Sequence, residues 1–213
     1  MRVQNDDGEA TRRATTNGRT EQGVGRRDII LREAAALFAA QGVAATTVRQ
    51  IADKAGVLSG SLYHHFASKE VIVEEIVIGY LDDLVARYQV LDERGLDPIE
   101  RLRSLVVVSV QASRDHLHAV QIYQNEGALL LSVPRNAHVS SLAQEVHRFW
   151  ADVIKAGVDA LKLRSDVSSR LFHRVLRDAV WLSPRWYRPT DAYPPAKLAD
   201  DLLAVFLDGF SAA

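Results

Sequence analysis

Thr46-Thr47-Val48-Arg49-Gln50-Ile51-Ala52-Asp53-Lys54-Ala55-Gly56-Val57-Leu58-Ser59-Gly60-Ser61-Leu62-Tyr63-His64-His65-Phe66-Ala67-Ser68-Lys69-Glu70 is the stretch whose reading decides the fold. Thr46 or Thr47 can cap a short helix that carries Val48, Ile51 and Ala52 at helical spacing, and Gly56 closes it. A second short helix runs from Ser59 to His65, and Ser68 with Lys69-Glu70 opens a longer one. Val48, Ile51, Ala52, Ala55, Val57, Leu62 and Phe66 supply a small core, which leaves Thr47, Arg49, Ser59, Gly60, Ser61, Tyr63, His64 and Lys69 facing outward. Helix, glycine turn and second helix is the layout that sets a recognition helix in the major groove of DNA. Hydroxyls and a small glycine let a backbone approach closely, while Tyr63, His64 and Lys69 can donate to phosphates. For any single Tyr or His a core-edge position without function is the competing reading.

Upstream, Ile30, Ala34, Leu37 and Phe38 recur at helical spacing from Arg27 until Gly42, which predicts a first helix and completes a three-helix module over residues 25–70. Residues 1–24 hold almost no large apolar side chain and are expected to form a flexible basic tail, whose Arg12, Arg13 and Arg19, with Arg26 and Arg27, are candidates for an arm into the adjacent minor groove. Downstream, residues 71–213 keep helical periods throughout, with prolines only at segment edges. The spacing predicts helices over about 69–93, 98–118, 120–131, 138–162, 166–186 and 195–211, hence an all-α chain of about nine helices.

The 213 residues, 47% of them hydrophobic, are enough for one good core and a smaller satellite. A formal net charge of -1 excludes a protein that coats nucleic acid through a global excess of Lys and Arg, yet leaves room for a local basic patch. The absence of cysteine removes disulfides, thiolate metal sites and cysteine nucleophiles. No stretch approaches the roughly 18 uninterrupted apolar residues of a membrane span, and the first residues lack an apolar signal region, so no membrane partner and a cytoplasmic location are expected.

The Ile51-Ala52, Ala55-Gly56-Val57, Gly60, Tyr63, Phe66 and Lys69-Glu70 pattern resembles the signature of TetR-family transcriptional repressors. The resemblance implies contacts to double-stranded operator DNA from Thr47, Arg49, Ser59, Gly60, Ser61, Tyr63 and His64, with Lys69 on a phosphate. It further implies a homodimer paired through its last long helices, an inverted-repeat operator and release by a small-molecule effector. Leu58 departs from the pattern, where a capping Ser or Thr is common, and leaves Ser59 as the expected cap.

In the larger domain no nucleophile elbow, phosphate loop or metal-spaced His pair occurs, which argues against an enzyme, a cofactor or a metal. Along residues 166–183, Leu171, Phe172, Val175, Leu176, Ala179 and Val180 form a broad apolar face, while Arg170, Arg174, Arg177 and Trp181 share the opposite stripe. Three guanidiniums on one stripe repel one another and call for an anion, either Asp178 or a ligand. Trp186 repeats the pairing of ring and cation in Arg185-Trp186-Tyr187-Arg188. Arginines that brace a dimer interface sealed by the rings are the alternative. Together these residues suit an anionic, ring-bearing effector such as a coenzyme A thioester, because Arg binds phosphate bidentately and Trp stacks on adenine. Ile122-Tyr123-Gln124-Asn125-Glu126 and Trp186-Tyr187-Arg188-Pro189 are similar to segments of TetR relatives that repress steroid catabolism in actinobacteria and respond to acyl-coenzyme A compounds. Tyr123 and Gln124 are the preferred further ligand contacts, with Glu126, Phe149, Trp150 and Val153 behind them. A drug-sensing repressor of efflux is the alternative function, disfavoured for cationic effectors by the arginines.

Overall fold

The structure, a computed structural model, describes residues 25–132 and 137–210. The tail expected over residues 1–24, with Arg12, Arg13 and Arg19, lies outside the described residues. The described residues form nine α-helices: α1 (Arg26–Gln41), α2 (Val48–Ala55), α3 (Ser59–His65), α4 (Lys69–Asp92), α5 (Pro98–Asp115), α6 (Leu117–Ser132), α7 (Ala137–Asp159), α8 (Ser169–Leu182) and α9 (Pro195–Phe210). A 3-10 turn, Ser183–Arg185, follows α8. Among these residues β-structure is confined to an isolated bridge between Thr190 and Tyr193, so the fold is all-α.

The local chemistry of the small module follows the sequence closely. Of the two candidate caps Thr47 is the one used: its Oγ1 accepts from Gln50 N at 3.2 Å, and the Gln50 side chain accepts from Thr47 N at 2.8 Å. Thr46 instead donates its hydroxyl back to the Gly42 carbonyl at 2.8 Å. This reciprocal pair satisfies two donors that a helix start leaves free. Gly56 ends α2 in the left-handed region (φ 64, ψ 38), where a Cβ would be strained. Ile30, Ala34 and Phe38 lie fully buried along one stripe of α1, against Ile51 and Ala52 of α2 and Leu62 of α3 in a single core.

Three boundaries differ from the periodicity. The helix expected to reach 118 ends at Asp115, because His116 leaves helical geometry (φ -117, ψ 39) and its ring reaches Asp83 on α4 at 3.0 Å. The helix expected to reach 162 ends at Asp159: Leu161 turns left-handed (φ 58), and the N–H groups of Lys162 and Leu163 both return to the Gly157 carbonyl. The segment expected over 166–186 is helical only over Ser169–Leu182, capped by Ser168, with Pro184 held in the 3-10 turn.

α4 ties the two modules together, packing on α1 at one end and on α5, α6 and α7 along the rest. α6 also touches α1. Inside the larger domain a buried relay runs from the Trp150 indole N–H to Tyr88 Oη (3.1 Å), from Tyr88 to Ser109 Oγ (2.5 Å) and from Ser109 to the Leu105 carbonyl (2.6 Å). Ser109 has one proton and gives it to Leu105, so Tyr88 is the donor to Ser109.

The Gly56 turn yields a direct test. Nothing lies within 4 Å of a Cβ built there, so Gly56→Ala is strained by backbone conformation alone and is expected to lower stability by about 1 kcal/mol. Gly56→Asn is expected to lose less, since Asn tolerates the left-handed region. Chemical denaturation of the three proteins checks the order, and equal losses for Ala and Asn would contradict it.

Candidate DNA interface and effector cavity

On the outer face of the small module the candidate residues of α2 and α3 stand together. Arg49 has 86% of its side chain exposed and approaches only Asp53, at 3.9 Å. Tyr63 is 56% exposed, and His64 and Gly60 are also exposed. No heavy atom lies within 4 Å of a Cβ built on Gly60, so the approach of another molecule there is open. Ser59 and Ser61 are half-buried, and the Thr47 hydroxyl is engaged in its cap.

Three expectations in this module change. Ser59 is not the cap of α3: it is the first helical residue, and Leu58 occupies the cap position with no side-chain hydrogen bond. Lys69 was expected on a phosphate, but its Nζ donates to the carbonyls of Val43 (2.7 Å) and Thr46 (2.9 Å). It thereby clamps the α1–α2 connection to the start of α4. The sequence separations of 26 and 23 residues conceal this bond from any local reading. Arg27, a candidate for the minor-groove arm, instead lies over the Phe66 ring at 4.5 Å and pairs with Glu75.

In the larger domain a narrow cavity of about 40 Å³ lies between α4, α5, α6, α7 and α8. Its walls are mostly apolar, with Leu81, Leu84, Val146 and Val180 beside the rings of Tyr80, Tyr88 and Trp150. Burial pushes the Tyr80 phenol up to about 12 and the Tyr88 phenol higher still, so both stay neutral donors. Tyr123, His147, Arg177 and Trp181 line this cavity and also a wider groove of about 630 Å³ outside it, where Gln124, Arg174, Asp178 and Arg185 join them. These four residues form the neck between an apolar interior and a cationic mouth.

The neck is held by specific contacts. The Arg177 guanidinium sits 5.7 Å from the Trp181 ring centroid and bonds Asp178 Oδ1 at 2.8 and 3.1 Å. Arg177 Nη1 also donates to His147 Nε2 at 3.3 Å. Burial, then the Arg177 charge, lower the His147 pKa, and the acceptor role of its Nε2 needs the same neutral form. Tyr123 meets Trp181 edge-on at 5.0 Å, Gln124 Nε2 donates to the Trp181 carbonyl at 2.5 Å, and Arg185 donates to Gln124 Oε1 at 2.9 Å.

Of the sequence candidates, Tyr123, Gln124, Arg174, Arg177 and Trp181 therefore come together. Arg170 lines neither of these spaces: it lines an adjoining surface groove between α7 and α8, with His147, His173, Arg174 and Arg177. Trp186 lines neither space and is 58% exposed. Phe149 and Val153 are buried, Phe149 packing edge-on against Tyr88. Sequence reasoning missed Tyr80, Tyr88 and His147, and named Arg185 only as the cation beside Trp186. The spacing of Tyr80, Leu84 and Tyr88 on α4, and of Ala143, Val146, His147 and Trp150 on α7, was the signal available, since polar atoms recurring on a buried stripe mark a lined cavity. His173 stacks on Trp150 at 6.0 Å, and its Nε2 is buried without a hydrogen-bond partner. Burial, followed by the nearby His147 and Arg177, lowers its pKa to about 4.

Residues 30–76 match the family model for bacterial regulatory proteins of the tetR family, and residues 95–210 match the tetracyclin repressor-like C-terminal domain. The chain belongs to the TetR family of transcriptional regulators. Within this family it is 42% identical over 186 residues to the HTH-type transcriptional repressor KstR2 of Mycobacterium tuberculosis, covering 87% of this chain and 93% of that protein. KstR2 of Rhodococcus jostii is 45% identical over 187 residues, covering 88% and 92%. The solved structure of the ketosteroid transcriptional regulator KstR2 of Mycobacterium tuberculosis superposes with a TM-score of 0.81 at 42% identity, covering 90% of this chain and 98% of that one. These relatives are regulators, not enzymes. Among the described residues no helix is long and apolar enough to cross a membrane, and no group of three or more His, Cys, Asp or Glu gathers around a possible metal position.

The Lys69 geometry separates stability from affinity. Lys69→Met removes two charged hydrogen bonds and should lower stability by about 2 kcal/mol. Tyr63→Ala should leave stability nearly unchanged while weakening DNA binding by about 1–3 kcal/mol. Thermal denaturation alongside DNA titration over a salt series checks both. An unchanged melting temperature for Lys69→Met, with a flattened salt dependence, would return Lys69 to a phosphate.

His173 gives a pH test. Its folded pKa lies below the unfolded value, so as pH falls from about 6.5 towards 4 the unfolded chain takes up this proton first, and stability is lost across that window. His173→Gln removes this contribution and should flatten that part of the stability profile. Parallel profiles for the two proteins would contradict the assignment.

Proposed function

We propose that the protein is a ligand-released repressor that binds an inverted-repeat operator as a homodimer, in the cytoplasm where its DNA lies, and that its effector is a coenzyme A thioester of a steroid catabolite. The observation that carries the effector class is the neck: Tyr123, His147, Arg177 and Trp181 border both an apolar cavity and a groove that adds Arg174 and Arg185. The apolar, aromatic walls suit the faces of a fused-ring acyl group, which would have to widen the narrow interior to enter, and the Tyr80 phenol offers it a polar handle. The phosphates suit the guanidiniums outside, and the Trp181 face suits a flat ring. The likeness to KstR2 supports steroid catabolism as the regulated process.

The dimer is supported by the surface of α8 and α9. Phe172, Leu176 and Val180 turn inward, while Leu171, Val175 and Leu182 of α8 stay exposed together with Val205 of α9, which is 75% exposed. Apolar side chains repeated on adjoining helices at the surface favour a second copy. Two recognition helices in one dimer would reach successive major grooves about 34 Å apart.

Titration of the operator complex with the coenzyme A thioester of a steroid-derived acid, the free acid and coenzyme A alone tests the effector class. The thioester should release DNA at far lower concentration than either fragment. Arg177→Met and Trp181→Ala should keep operator affinity and raise the thioester concentration needed roughly ten- to a hundredfold. Loss of folding and DNA binding together in both variants would reject the ligand role.

A further inference from the structure

We infer that Leu58 reads a thymine methyl group in each operator half-site, an assignment that rests on the DNA-binding reading of α2 and α3. Leu58 is 82% exposed, more than any other large apolar side chain among the described residues. Folding does not account for it. Leu58 holds the cap position of α3, where its carbonyl accepts from the N–H groups of Ser61 (2.9 Å) and Leu62 (3.2 Å) but its side chain makes no cap hydrogen bond. Ser, Thr, Asp or Asn would stabilise the helix there, and Leu is among the poorest choices. The two other helix starts in this stretch do use hydroxyls: Thr47 caps α2 and Ser68 caps α4.

The surroundings point to a nucleic-acid partner for this side chain. Arg49, Gly60, Tyr63 and His64 are exposed on the same two-helix segment, and Gly60 leaves space for a neighbouring molecule. Among the groups that base pairs present in the major groove, the C5 methyl of thymine is the apolar one, and an apolar side chain placed against it discriminates T from C. Arg49, Tyr63 and His64 are suited to phosphates and polar base edges, so Leu58 supplies a contact that none of them can make. Removing one methyl from such a contact should weaken binding about fourfold per half-site, or about fifteenfold for two.

The test begins by selecting duplexes from a random library with the full-length protein. Each thymine of the selected duplex is then replaced by deoxyuridine, which deletes only the methyl. Affinities are measured for the wild type, Leu58→Ala and Leu58→Ser. The expected result is one thymine per half-site whose replacement weakens the wild type about fourfold but leaves both variants unaffected, while Leu58→Ser melts higher than Leu58→Ala because it restores a cap. Equal sensitivity of all three proteins at every thymine would overturn the assignment of Leu58 and leave the DNA-binding reading standing. Failure to enrich any sequence would overturn both.

Discussion

α4 belongs to two cores at once, and the rest of the molecule is arranged around that constraint. Its first residue, Lys69, donates to the carbonyls of Val43 and Thr46 and so fixes the α1–α2 connection to the helix start. Three to five turns later Tyr80, Leu84 and Tyr88 form one wall of the cavity. A helix joined in this way to the small module cannot shift where it lines the cavity without moving or loosening its other end. α6 adds a second tie, since it touches α1 and carries Tyr123 at the neck. Asp83 on α4 holds His116 in the break between α5 and α6, with Tyr80 5.8 Å from the same imidazole. Tyr80 thus stands between the cavity and the joint that sets where α6 begins.

A ligand at the neck, as proposed, would have to compete with contacts already present. Arg177 is bonded to Asp178 and to His147 and lies against Trp181. An incoming anion replaces part of this set instead of filling a void, which favours a ligand carrying more than one charge. Inside the cavity the relay from Trp150 through Tyr88 and Ser109 to the Leu105 carbonyl is complete, so a polar group entering there meets donors whose protons are already committed. Selectivity in such a site comes from shape and from the cationic mouth together.

What the sequence made legible was local. The Thr47 cap with Gln50, the left-handed Gly56 and the alternation of buried and exposed residues through Phe66 are settled within one or two helical turns, so spacing alone revealed the helix-turn-helix and the all-α chain. Long-range contacts were not legible. Lys69 has the spacing of a phosphate contact and the bonds of a clamp. Arg170 shares a stripe with Arg174 and Arg177, yet a helix stripe spans more than one groove, and Arg170 lines only the neighbouring groove that it shares with His147, Arg174 and Arg177. Trp186 lies beyond the 3-10 turn at Ser183–Arg185, where helical phase is lost and its direction cannot be extrapolated from α8. The broad apolar face of α8 divides for a related reason: Phe172, Leu176 and Val180 meet the core, while Leu171 and Val175 turn to the surface.

If the proposed function holds, an effector in the cavity releases the operator by repositioning the two DNA-reading modules of a dimer through α4. The chain contains no cysteine, so a single exposed substitution such as Ala40→Cys on α1 can be spin-labelled without background, and the distance between the two labels of a dimer measured by pulsed electron resonance. The expected result is a narrow distance distribution in the operator complex that moves or broadens once a coenzyme A thioester releases the DNA. A distribution that stays the same through release, or the absence of any distance between labels, would contradict it.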